Sequence, residues 1–185
     1  MPDPAADGRS PAREAAWLVL RTQSGDRAAL ESLLEHALAE LRPYAAAMIA
    51  DEDVRGDVLQ EVLVLVYRKL PSLREPRAFN AWARRVASRE IFRALRRLRR
   101  HERATEELSP DLPDGHEEPA APDGLIERLP ALLEGVSPAS RAVLALHYLD
   151  GLTLDEIAGV LEIPSGTVKS RLAYGLAALR RALVP

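Results

Sequence analysis

The chain has 185 residues, of which 47% are apolar, 29% charged and only 4% aromatic, so its cores are built from Leu, Val and Ala, a composition that favours packed helices over a β-sandwich. The absence of cysteine excludes disulfides and thiolate chemistry, and four scattered histidines (His36, His101, His116, His147) lack ligand spacing, so neither a metal nor another cofactor is expected. No apolar run approaches the roughly 20 residues that cross a bilayer, and the start MPDPAADGRSP has no secretion-signal layout, so a cytoplasmic protein without membrane insertion is expected.

Residues 1–12 are too poor in apolar side chains to bury and are expected to be disordered. Helical patterning follows through Trp17, Leu18 and Leu20, breaks at Ser24-Gly25, and resumes behind Asp26, a good N-cap, with Leu30, Leu33, Leu34, Leu38 and Leu41. Pro43 is expected to bend the continuation toward Ile49. The acidic turn Asp51-Glu52-Asp53 then opens a helix in which Val54, Val58, Val62, Val66 and Leu70 recur every fourth residue, with Leu59, Leu63 and Tyr67 widening the stripe. Strand-like alternation would bury Gln60 beside Val58 and Val62, so the helical period prevails. Pro71 ends that helix, and another runs through Phe79, Trp82, Val86, Ile91, Leu95 and Leu98.

The net charge of −3 conceals a division along the chain. Between Arg77 and Arg103 ten arginines face two acids, Glu90 and Glu102. Residues 104–124 hold seven acids, four prolines and no Lys or Arg, and read as a flexible acidic linker between an N-terminal domain at 13–103 and a C-terminal domain at 125–185. In the latter, one helix carries Leu125, Ile126, Leu129, Leu132 and Leu133, and a second, opened by Ser137-Pro138, carries Val143, Leu144, Leu146 and Tyr148. Thr153 with Glu156 forms a capping box ahead of Ile157, Ala158, Val160 and Leu161; Ile163-Pro164 is a short turn; the last helix buries Val168, Leu172, Leu176, Leu179 and Leu183. The fold class is all-α, as two small helical domains.

Three surfaces carry function. The closing pair of short helices has helix-turn-helix spacing, and its second helix turns Thr167, Ser170, Arg171, Tyr174 and Arg181 toward solvent with Lys169 at one flank, a polar and positive face suited to a DNA groove, while Ser165 and Thr167 sit at the helix start, which favours a phosphate. An amphipathic hairpin with a solvated face has the same spacing. On the valine helix, Asp57, Gln60 and Glu61 form an outer face into which Val64 and Leu65 intrude, which suits a protein partner as well as ordinary scattered exposure. On the arginine-rich helix, Arg85, Arg89, Arg93, Arg96 and Arg100 fall in one arc, a concentration of one charge sign that suits phosphates.

The stretch Leu152-Thr-Leu-Asp-Glu-Ile-Ala-Gly-Val-Leu-Glu-Ile-Pro-Ser-Gly-Thr-Val-Lys-Ser-Arg-Leu172 resembles the region-four helix-turn-helix of extracytoplasmic-function (ECF) sigma factors, and Asp57-Val-Leu-Gln-Glu-Val62 resembles their region-two signature. The likeness runs from about Arg13 to Leu183. It implies a transcription initiation factor rather than an enzyme, with region two at 13–103 and region four at 125–185, working on core RNA polymerase and promoter DNA and open to control by an anti-sigma factor. By the same resemblance Asp57, Gln60, Glu61, Val64 and Leu65 meet the polymerase clamp. Phe79, Asn80, Arg85, Arg89, Arg93 and Arg96 serve the minus-ten element, with the turn from Pro71 to Arg77 walling a pocket for a flipped base. Ser165, Thr167, Lys169, Ser170, Arg171 and Tyr174 serve the minus-thirty-five element. Trp82 is suited either to stacking on a base or, lying one turn from Phe79 on the apolar face, to the core, and the core is the reading preferred. Arg89 and Arg93 replace the family's usual Asn and Asp, and Tyr174 and Gly175 stand at positions that are often basic, so promoter preference stays open. The linker acids either tether the domains or mimic nucleic acid in the polymerase channel. A stand-alone DNA-binding regulator remains a rival; an enzyme using Asp57 and Glu61 lacks any supporting motif.

Overall fold

A computed structural model describes residues 11–106 and 135–183, and every regular element among them is helical. The helices are α1 (Pro11–Gln23), α2 (Arg27–Met48), α3 (Glu52–Lys69), α4 (Phe79–Glu106), α5 (Pro138–Tyr148), α6 (Leu154–Leu161) and α7 (Ser165–Leu183), with short 3-10 turns at Leu70–Ser72 and Pro76–Ala78 between α3 and α4. Residues 1–10, almost all of the acidic stretch 104–124, and the segment carrying Leu125 to Leu133 lie outside the described residues.

Helix starts follow local chemistry. The first backbone N–H groups of a helix have no partner within it, and short oxygen-bearing side chains supply one. Asp26 accepts from the Ala29 N–H, Asp51 from Val54 and Ser137 from Ser140. Thr153 and Glu156 form the reciprocal capping box expected of them. Pro43 lies inside α2, which continues through it to Met48.

Helix α2 is the central strut, touching α1, α3, α4 and α5. Its buried Leu33, Ala37, Leu41, Tyr44 and Met48 meet Val58, Val62 and Val66 of α3 and Phe79, Ala83, Ala87 and Ile91 of α4. Tyr44, fully buried, accepts a hydrogen bond from Ser88 at 3.1 Å, so the core holds a satisfied polar pair. Burial pushes the Tyr44 phenol far above its usual range, which keeps it neutral. Truncating a side chain such as Leu33 to Ala would cost about 2–5 kcal/mol, because a close-packed site cannot collapse onto the void.

Apolar periodicity misleads at three aromatic positions. Trp17, Tyr67 and Tyr148 are 51%, 55% and 60% exposed, whereas α1 turns Ala15, Leu18 and Val19 inward.

The C-terminal helices pack on the N-terminal bundle. α5 lies against α2 and α6 against α4, and the buried residues of both halves join into one continuous core.

Candidate functional site

On α3, the valine stripe faces α2 and α4, which leaves Asp57, Gln60 and Glu61 in solvent and Val64 49% exposed among them. These residues line a cleft of 510 Å³ with Leu65, Glu90 and Arg93. All five residues that the sequence marks for a protein partner therefore share one cleft, where the apolar Val64 and Leu65 stand among polar and charged side chains. Glu61 also accepts from Arg97 at 3.4 Å.

The turn between α3 and α4 is pinned from α1, where the Gln23 amide donates to the Leu70 and Leu73 carbonyls at 3.0 and 2.9 Å. Nothing in the sequence pattern marks Gln23. Behind the turn Phe79 is 1% exposed, its ring packed between His36 and Trp82. Asn80 is half-buried and pairs with His36 at 3.1 Å.

The arginine arc of α4 is present, but most of its charges are engaged. Arg93 pairs with Glu90 at 2.9 Å, and Arg89 places one terminal nitrogen 2.7 Å from both Glu162 oxygens, while Arg85 Nε is 3.8 Å from the same carboxylate. This hydrogen bond from Arg89 holds the Glu162 carboxyl below the usual range and raises the guanidinium in return. Arg84, absent from the sequence-based set, is buried between Asp150 at 2.7 Å and Glu40 at 3.0 Å. Burial outweighs Arg84 at Asp150 and raises that carboxyl above its ordinary value. Arg96 and Arg100 are exposed and make no ion pair among the described residues.

In the helix pair α6–α7, Glu162 closes α6 with a left-handed backbone (φ 54°), and Ile163 and Pro164 complete the turn. The N–H groups of Thr167 and Val168 donate to the Pro164 carbonyl, and the Ser165 hydroxyl donates to Asp155 at 2.8 Å. The start of α7 is thus less free for an anion than its sequence suggests. Lys169, Ser170 and Tyr174 are exposed, Tyr174 the most at 72%, and Arg171 is half-buried. Gly175 does not belong to this face, because it is buried against α5.

Arg171 points into a second cleft, of 320 Å³, between α4 and the helix pair, lined also by Phe92, Arg89, Arg93, Arg96 and Glu162. Arginines assigned to two different DNA elements thus meet across one cavity. No group of His, Asp or Glu among the described residues could hold a metal ion, and no described helix is long and apolar enough to cross a membrane.

A family model described as ECF sigma factor matches residues 12–184. The chain is 29% identical over 166 residues to the ECF RNA polymerase sigma-E factor of Escherichia coli K12, covering 84% of this chain and 86% of that protein. It is 26% identical over 189 residues to the ECF RNA polymerase sigma factor SigW of Bacillus subtilis, covering 89% and 94%. Among solved structures, CnrH in complex with the cytosolic domain of CnrY superposes with a TM-score of 0.68 at 24% identity, covering 92% of this chain and 97% of that one. The sigma factor RpoE of Bartonella quintana, in complex with the anti-sigma factor NepR, gives 0.66 at 21% identity, covering 83% and 95%. At these identities the two structures attest the fold.

Proposed function

The chain belongs to the ECF sigma factor family, and from that premise we propose that its two helical halves divide promoter recognition between them while α3 docks on core RNA polymerase. The observation that carries this reading is the cleft holding Asp57, Gln60, Glu61, Val64 and Leu65 together, apolar and charged side chains gathered on the helix that bears the region-two signature. Such a mixture suits a protein partner, because apolar burial supplies affinity and the charges set register.

In this reading Arg85, Arg89, Arg93 and Arg96 of α4 hold the opened strand of the minus-ten element, with Asn80 beside them. Ser165, Thr167, Lys169, Ser170, Arg171 and Tyr174 of α7 address the minus-thirty-five element. Opening the duplex costs a few kcal/mol per unstacked base, which positive charge along the exposed strand offsets. An anti-sigma protein that covers Val64 would compete with polymerase for the same face; the structurally similar RpoE of Bartonella quintana is itself in complex with an anti-sigma factor.

Footprinting on promoter fragments with and without core polymerase tests the proposal. Specific protection and run-off transcripts are expected only when both proteins are present. Full protection by the chain alone would identify a stand-alone regulator and overturn it.

A further inference from the structure

Helices α2 and α4 are joined by two side-chain hydrogen bonds in one register. Tyr44 meets Ser88 in the core, and eight residues earlier on each helix His36 meets Asn80, both pairs 44 residues apart in sequence. The inner pair is sealed, since Tyr44 and Ser88 are both buried. The outer pair is not. His36 and Asn80 are each half-buried, and while Asn80 Oδ1 lies 3.1 Å from His36 Nε2, the Asn80 amide nitrogen has no partner among the described residues and meets solvent.

A terminal amide carries an acceptor on one side and donors on the other, and a half turn of the group exchanges them. An asparagine that turns freely offers both to a base and discriminates poorly. Facing an oxygen, His36 Nε2 must donate, which turns Oδ1 toward the imidazole and leaves the NH2 group as the open side of Asn80. The imidazole is itself supported: its ring centre lies 6.4 Å from that of the buried Phe79, which Trp82 backs at 5.9 Å. The neighbouring α3–α4 turn is pinned by Gln23, so the donor stands on a fixed frame, as a group that selects a ligand must.

We propose that His36 is a positioning residue for base selection: it holds the Asn80 amide with its donors open, so that an unpaired base lying against the α3–α4 turn is chosen by an acceptor on its edge. The base-reading step rests on the assignment of Asn80 to the minus-ten element made above, whereas the orientation of the amide rests on the His36 contact alone. Fastening α2 to α4 does not require this bond, because Tyr44 and Ser88 already join the same two helices.

Run-off transcription by the full chain with core polymerase, on templates randomised over the minus-ten region and read by sequencing, tests the proposal. With the parent, one position should show a preferred base. His36→Leu keeps the bulk, loses the donor and should lower that preference about three- to tenfold, the discrimination that one neutral hydrogen bond supports. His36→Gln, whose amide nitrogen can take the place of Nε2, should hold the preference within about twofold of the parent. Asn80→Asp keeps the acceptor, loses the donors and should abolish the preference, and in an Asn80→Ala background His36→Leu should have no further effect. Tyr44→Phe, which removes the other bond between the same helices, should leave it unchanged. An unmoved preference in His36→Leu, an equal loss in His36→Gln, a preference kept by Asn80→Asp, or an equal loss in Tyr44→Phe would each overturn the positioning role. Nitrogen-15 NMR of the full-length chain reads the orientation without polymerase: the His36 Nε2 proton should exchange slowly with water in the parent and be lost to exchange in Asn80→Ala. If the parent never initiates while that proton is protected, the promoter assignment fails, base selection fails with it, and the amide orientation stands. If the parent initiates with a preference that His36→Leu leaves intact, the promoter assignment stands and the positioning role fails.

Discussion

A Cβ atom at Gly175 would stand 2.8 Å from Leu144 Cδ1 and 3.3 Å from Ser140 Cβ, so α7 can lie against α5 only because residue 175 has no side chain. Leu144 is itself buried and has little freedom to withdraw. Gly175→Arg, a change toward the family's more basic pattern, should therefore destabilise the helix pair by about 1–3 kcal/mol through overpacking, despite the better helix propensity of Arg. Thermal unfolding of the variant checks this. A gain in minus-thirty-five affinity without loss of stability would show that α7 can rotate to release the contact.

Val64→Asp places a further charge in the α3 cleft at one of its two apolar positions. Affinity for core polymerase should fall at least tenfold, the loss expected when a buried apolar contact is replaced by an unpaired charge. Helical content and melting should remain close to the parent, since Val64 already meets solvent. Fluorescence anisotropy with labelled chain and core enzyme measures the first and circular dichroism the second.

Thr153→Ala removes the side chain that accepts from the Glu156 N–H and should cost about 1 kcal/mol. The hydroxyl and backbone N–H of Thr153 also hold the Glu156 carboxyl below its ordinary value of 4.5. A carboxyl with a depressed folded value adds stability above its unfolded value and loses it as pH falls through the folded one. The difference in melting temperature between parent and Thr153→Ala should thus be full near neutrality and shrink in acid below 4.5. Glu162, lowered by Arg89, acts with the same sign, and Asp150, raised by burial, with the opposite sign. Both are common to parent and variant and cancel in the difference.

Tyr44→Phe leaves the buried Ser88 hydroxyl without its partner. A loss of about 1 kcal/mol follows, the cost of one unsatisfied buried group, and it should appear in denaturant unfolding as a lower midpoint at unchanged slope. Polymerase binding should be untouched, because neither residue reaches the α3 cleft.

Much of the architecture is written in local pattern. Asp26, Asp51 and Thr153 mark helix starts because each acts within three residues of itself, and the Val58–Val62–Val66 stripe identifies a buried face because its period repeats along one element. The five cleft residues on α3 are legible for the same reason. Arg84 and Gly175 are not, because their roles depend on what lies opposite: Glu40 and Asp150 for the first, Leu144 for the second. Ala83, Ala87 and Ser88 beside Arg84 are the one available hint, since small residues on a helix side permit close approach. Phe79 shows the converse, a residue carried along with a motif whose own ring is spent on packing.

The left-handed backbone of Glu162 is a seat that glycine or asparagine would fill with less strain. Holding an acid there trades backbone ease in the α6–α7 turn for an ion pair with Arg89 of α4. A glycine in its place would relax the turn and leave the Arg89 guanidinium without its acid, so ease of the backbone and attachment of α6 to α4 pull the choice of residue at 162 in opposite directions.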